Sequence, residues 1–168
     1  EGFFFFFFSD VKKNLKSSDK ELSPMEKEAY TLEFTPSSIE ITAKDEAGLF
    51  YGEMTVKQLS MIFEDKIPCL KIDDKPEFEW RGFMLDCCRN FYPVEFIFKI
   101  LDAIALHKIN RFHWHLTDDQ GWRIPVKEYP LLTEVGAWRN DCRYTWVEKV
   151  GGFYTEDEIK AVVKNYRR

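Results

Sequence analysis

Two short runs in the first third of the chain alternate apolar and polar side chains with a period of two. They are AYTLEF at residues 29–34 and SIEITA at residues 38–43, parted by TPS. This pattern predicts a β-hairpin with one buried face. The next stretch, KDEAGLFYGEMTVKQLSMIF, changes period. Asp45 is placed as an N-cap, and Leu49, Gly52, Val56, Leu59 and Phe63 recur at helical spacing. Gly48 and Gly52 lower helix propensity, so they make sense if that face lies close against the sheet. Strand, strand, helix predicts a small α+β unit, with residues 12–27 before it read as a polar loop or a partly ordered connection.

After Glu79 the rhythm changes again. RGFMLD (residues 81–86) reads as a short apolar strand with a polar end, and Pro93 sits where a helix begins. Val94, Ile97, Phe98, Leu101, Ile104 and Ala105 stack on one helical face. INRFHWHL (residues 109–116) is the next strand. After a long excursion Thr155 and Glu158 form a capping box ahead of Ile159, Val162, Val163 and Tyr166. Strand, helix, strand implies parallel strands joined by a crossover, the opening of a doubly wound sheet or of a (β/α) barrel. Two strands cannot close a barrel, which takes about eight. The chain is therefore expected to end in a small open sheet or, as the preferred reading, to be a fragment, with a small domain over residues 1–78 and the start of an α/β domain over residues 79–168.

Composition narrows the classes. Of the 168 residues, 45% are hydrophobic, 17% aromatic and 32% charged, which suits a packed core and excludes a disordered chain. A net charge of -5 argues against a nucleic-acid footprint. No apolar run approaches membrane-spanning length. The Phe3–Phe8 run is too short for a signal core and lacks a basic lead-in, so it reads as a buried or aggregation-prone strand or as a truncated start. Cys69, Cys87, Cys88 and Cys142 lack CxxC spacing, which argues against structural zinc; Cys87 and Cys88 read as small buried residues.

Chemistry concentrates in HWHLTDDQGWR, residues 113–123. In parallel α/β architectures ligands bind at the carboxyl ends of strands. Here the amino ends are plain, whereas the carboxyl ends carry Asp86 and Arg89 on one strand and Asp118 and Asp119 on the next. Alternation places His113 and His115 on one face and Phe112, Trp114, Leu116 and Asp118 on the other. The two histidines, with Asp118 or Asp119, could ligate a metal, but a third ligand in register is missing and packing within the strand layer is the commoner role. Asp118 and Asp119 are adjacent and diverge, so they are not a glycosidase acid–base pair, which lies about 5 Å or more apart across the bond. One of them is better suited to binding a hydroxyl or holding a histidine or arginine; capping a helix is the rival role for Asp119. The Arg89 guanidinium suits a carboxylate, a phosphate or vicinal sugar hydroxyls, or a salt bridge to Asp86. The long connection, with Trp122, Tyr129, Trp138, Tyr144 and Trp146, is expected to be functional if it is structureless.

RGFMLDCCRNFYP, KINRFHWHLTDDQGWRIPVKEYPLLTEVGAWR and GGFYTEDEIKAVV together resemble the start of the catalytic barrel of family 20 glycoside hydrolases, the β-N-acetylhexosaminidases. YTLEFTPSSIEITAKDEAGLFYGEMTVKQL resembles the small α+β domain that precedes that barrel. The resemblance implies an incomplete (β/α)8 TIM barrel, its first two βα units, preceded by that small domain. It implies cleavage of terminal N-acetylhexosamine from glycans or chitooligosaccharides by a retaining, substrate-assisted mechanism in which the 2-acetamido carbonyl attacks the anomeric carbon. No metal or organic cofactor is implied, and the setting would be secreted, periplasmic or lysosomal. On this resemblance Arg89 and Asp118 bind substrate, and His115, Asp119 and Asp86 support them. The family's Asp-Glu pair follows an HxGGDE-type stretch that does not occur in these residues, and Asn90 stands where a histidine is usual. No catalytic residue is therefore assigned, and the isolated chain is expected to be inactive; a non-catalytic carbohydrate-binding or interaction module is the alternative.

Overall fold

A computed structural model describes residues 11–18, 20–64, 66–140 and 149–166. The Phe3–Phe8 run, Cys142, Tyr144 and Trp146 lie outside the described residues. The chain divides into two compact units, Glu1–Arg81 with Ala105–Asn110, and Gly82–Ile104 with Arg111–Arg168.

The first unit holds β1 (Val11–Leu15), α1 (Pro24–Lys27), β2 (Tyr30–Phe34), β3 (Ile39–Ala43), α2 (Glu46–Phe63) and β4 (Leu70–Asp74). The predicted hairpin is present as β2 and β3, in the centre of a four-stranded sheet of order β1-β3-β2-β4. β1 runs parallel to β3, and β4 antiparallel to β2. Leu32 and Ile41 from the sheet are completely buried, and Leu49 and Val56 of α2 cover them. Asp45 caps α2 by accepting from the Ala47 N–H at 3.0 Å. A Cβ on Gly48 would stand 2.4 Å from the Ala29 carbonyl oxygen, and one on Gly52 2.5 Å from Ile41 Cγ2. The glycines thus let helix backbone lie directly on the sheet, and that contact offsets their poor propensity.

Residues 12–27 are not the loop that their polarity suggested. They supply β1 and the capped helix α1, whose Ser23–Glu26 capping box stands in for a missing apolar face. The apolar stripe of α2 also ends early: Met61, Ile62 and Phe63 are exposed.

The second unit holds β5 (Gly82–Asp86), most of α3 (Val94–Leu106), β6 (Arg111–His115), β7 (Thr117–Asp118), β8 (Gly121–Trp122), α4 (Leu131–Glu134), β9 (Trp138–Asn140), β10 (Lys149–Gly151) and α5 (Glu156–Tyr166). β5 and β6 pair in parallel, joined through α3, as the apolar runs and Pro93 predict. Ile97, Leu101 and Ile104 are the buried stripe of α3. Phe83 and Met84 of β5 remain 38% and 52% exposed, an unusual state for a parallel strand.

The connection after β6 is not structureless. β7 and β8 form a tight hairpin, and β9 pairs antiparallel with β10. The Thr155–Glu158 capping box opens α5, with the Thr155 N–H donating to Glu158 Oε2 at 2.7 Å. Of the stripe expected on that helix only Val162 is fully buried; Val163 and Tyr166 are exposed.

Candidate functional site

Register builds the site. Pairing of β5 with β6 sets Asp86 directly beside His115 at the carboxyl ends of both strands. His115 Nδ1 lies 3.7 Å from Asp86 Oδ1. The chain after Asp86 turns sharply because that carboxylate accepts from the N–H groups of Cys88 (2.9 Å) and Arg89 (3.1 Å). The turn returns the Arg89 side chain over the strand ends.

There the guanidinium is clamped. Nη1 donates to Asp86 Oδ2 at 3.0 Å, and Nη2 lies 3.0 Å from Asp118 Oδ2. Nη1 is also 3.4 Å from His115 Nδ1, while His115 Nε2 is 3.4 Å from Asp118 Oδ2. A guanidinium only donates, so this arrangement suits an imidazole whose hydrogen sits on Nε2 and points at Asp118. Nε and the second hydrogen of Nη2 have no partner among the described residues, and the Arg89 side chain is 45% exposed.

Electrostatics follow the geometry. Burial opposes ionisation of Asp86, but the N–H groups of Arg89 and Cys88 and the guanidinium outweigh it and hold the carboxyl below its usual range. The Asp119 N–H, 2.8 Å from Asp118 Oδ1, does the same for Asp118 with help from the Arg89 charge. Burial works against the charge on Arg89, yet Asp118 and Asp86 more than offset it and raise its pKa.

The sequence-predicted residues thus converge, with one correction. Asp118 does not lie on the face opposite His115, because β6 ends at His115 and β7 redirects the chain into a new hairpin. Asp119 contributes its N–H to Asp118. His113 is exposed, with its ring 5.5 Å from that of His115. Asp86, Cys88 and His115 do bring three metal-ligand atoms within 4.8 Å of one another. Burial raises the Cys88 thiol to about 11, its S–H donates to the His115 carbonyl at 3.2 Å, and the Arg89 cation already holds Asp86. Such a neutral thiol beside a guanidinium is poorly suited to a cation.

A cavity of about 410 Å³ in the first unit is lined by Lys16, Lys44 and Lys75 with Glu26, Asp73 and Asp74, so its charges balance. It lacks the strand-end cluster described above.

Sequence reasoning missed Arg123. Its side chain is only 1% exposed, and it donates to the carbonyls of Cys87, Cys88, Ala137 and Gly152. The available signal was an arginine set between Trp122 and Ile124 with no acidic neighbour.

Residues 78–167 match the family described as glycosyl hydrolase family 20, catalytic domain, and residues 9–75 match glycosyl hydrolase family 20, domain 2. A β-hexosaminidase of Porphyromonas gingivalis is 42% identical over 150 residues, covering 84% of this chain and 19% of that protein. One from Vibrio furnissii is 41% identical over 143 residues, covering 80% of this chain and 23% of that protein. Among solved structures, an exo β-N-acetylglucosaminidase from Vibrio harveyi in complex with N-acetylglucosamine has a TM-score of 0.80 at 36% identity, covering 94% of this chain and 25% of its own. The chain therefore spans about a fifth to a quarter of the length of these relatives.

Proposed function

The chain belongs to glycosyl hydrolase family 20, and from that membership we propose that it builds one wall of the sugar pocket of a β-N-acetylhexosaminidase. In this reading the chain supplies the small domain, set at residues 1–78, and the first two βα units of a TIM barrel from residue 79 onward. The enzyme removes terminal N-acetylhexosamine from glycans or chitooligosaccharides, with the substrate's acetamido oxygen as the nucleophile. The partly exposed Phe83 and Met84 support a sheet that further strands cover.

The observation that carries the reading is the Arg89 clamp. Two carboxylates fix the guanidinium at the strand ends while Nε and one Nη2 hydrogen have no partner among the described residues. A rigid pair of donors facing outward suits vicinal ring hydroxyls. Asp118 holds Arg89 and His115 in one unit, and Asp86 and Asp119 fix the turn and the Asp118 rotamer. The proton donor is not assigned to any residue of this chain, and general-acid catalysis of this kind contributes roughly 10²–10⁴-fold in rate.

Two proteins test this. The chain alone is expected to give no turnover of an aryl N-acetylglucosaminide. Transplanted into the Porphyromonas gingivalis relative in place of the matched segment, it is expected to support turnover that Arg89→Ala abolishes. Activity of the isolated chain above background, or a folded active chimera indifferent to Arg89→Ala, would overturn the reading. Saturable binding of N-acetylglucosamine to the chain alone would instead favour a carbohydrate-binding module.

A further inference from the structure

We propose that Arg123 is a positioning residue for Arg89, its buried guanidinium fixing the backbone of the turn that presents Arg89 to the sugar. The inference rests on the reading of Arg89 as the sugar-binding group.

Three separate segments meet on this one side chain. Nε donates to the Cys87 carbonyl at 2.8 Å and Nη2 to the Cys88 carbonyl at 2.8 Å. Nη1 donates to the carbonyls of Gly152 (3.0 Å) and Ala137. None of these acceptors is a carboxylate. A buried cation without a counter-charge is costly, several kcal/mol even after relaxation; an apolar side chain would avoid that cost but would take the donor from the carbonyls of Cys87, Cys88, Ala137 and Gly152. What the guanidinium adds is geometry, since its planar fork fixes the directions of all the carbonyls that it meets.

Those directions bear on Arg89. The peptide unit joining Cys88 to Arg89 is held at both ends, its carbonyl by Arg123 and its N–H by Asp86. The carbonyl of Arg89 itself accepts from Arg139, which lies in β9 just after Ala137. The backbone N–H of the same residue, a bond that any side chain there would keep, donates to the Leu116 carbonyl at 2.9 Å, two residues before Asp118, and so seats the guanidinium next to the other half of the clamp. The hairpin between them is shaped to admit the side chain. A Cβ on Gly121 would stand 2.3 Å from Arg123 Nη2 and 2.8 Å from the Cys88 oxygen. The guanidinium carbon lies over the Phe91 ring, 5.8 Å from its centroid.

The test uses the full chain and reads the titration of the Asp86 and Asp118 carboxyls by carbon-detected NMR. The groups facing Arg89 are Asp86, Asp118, Asp119 and His115, so these two carboxyls report where its charge sits. Arg89→Ala should raise both toward the ordinary carboxylate range. Arg123→Ala should raise them nearly as far, with millimolar guanidinium chloride returning them toward the unmodified values, and Arg123→Lys should give an intermediate shift. Unchanged carboxyl titration in a folded Arg123→Ala or Arg123→Lys chain would overturn the assignment. Loss of the fold in both variants, seen as loss of near-ultraviolet circular dichroism, would overturn it too, because the residue would then be merely structural. Failure of the sugar reading shows separately, as a chimera indifferent to Arg89→Ala while the carboxyl shifts still follow Arg123.

Discussion

Nη2 of Arg89 lies 3.0 Å from Oδ2 of Asp118, so a carboxylate from the end of the second parallel strand holds an arginine presented by the first. Asp86 holds the same guanidinium from the other side at 3.0 Å. Both carboxyls titrate below their usual range in the folded chain. A group with a depressed folded-state pKa binds fewer protons folded than unfolded. Its stabilisation is therefore present above the unfolded value, about 4, and is lost as pH falls through the folded-state value. Urea midpoints should drop in that acid window, and an Asp86→Asn, Asp118→Asn chain should show a shallower drop. Both groups are partly exposed, so added salt should shrink the difference.

The residues of this clamp were legible in the sequence, but their arrangement was only half legible. Asp86, Arg89, His115 and Asp118 stood out because charge collects at the ends of two apolar runs. Simple alternation then put Asp118 on the wrong face, since nothing in LTDDQGW announces that β6 stops at His115. Arg123 was missed for a related reason, as all of its partners are backbone carbonyls and carbonyls leave no trace in side-chain chemistry. β1 and β4 were missed because both are edge strands. Among the described residues each has one neighbour, and VKKNL and LKIDD accordingly carry few apolar residues.

The close seat of α2 on the sheet sets the sign of a common stabilising substitution. Gly48→Ala gains helix propensity worth about 1 kcal/mol. The new Cβ, however, meets the Ala29 carbonyl oxygen at 2.4 Å and Ala43 Cβ at 2.8 Å. Backbone cannot turn aside, and overpacking costs roughly 1–3 kcal/mol. Thermal unfolding should show net destabilisation of about 1 kcal/mol. Gly52→Ala meets Ile41 Cγ2 at 2.5 Å, and that completely buried, β-branched side chain has no room to turn, so this substitution should also destabilise.

Cysteine reactivity should split by environment. Cys87 and Cys88 are fully buried, and burial raises both thiols, Cys88 to about 11. The thiolate is the nucleophile, so neither should alkylate at pH 8 while the chain is folded. Cys69 is exposed and should label quickly. Peptide mapping after a brief iodoacetamide pulse, with and without denaturant, distinguishes them. Rapid labelling of Cys88 in the folded chain would contradict its described burial.

Within the first unit, Glu28 and Arg81 form an ion pair whose side chains are 13% and 17% exposed. Asn110 completes the group, donating to Glu28 Oε1 at 2.9 Å and accepting from the Arg81 N–H at 3.0 Å. The Arg81 guanidinium also donates to the Lys108 carbonyl at 2.7 Å and to the Phe78 carbonyl at 2.8 Å. A pair this enclosed is weakly screened, so salt should hardly change its contribution. Removing one partner leaves the other charge buried, which costs about 3–5 kcal/mol. Glu28→Ala should therefore be strongly destabilising. Glu28→Gln keeps an acceptor for Arg81 and nearly the same volume, so it should lose less than Glu28→Ala. Equal losses for both variants in urea denaturation would mean that the negative charge itself, and not packing or the retained acceptor, dominates at this position.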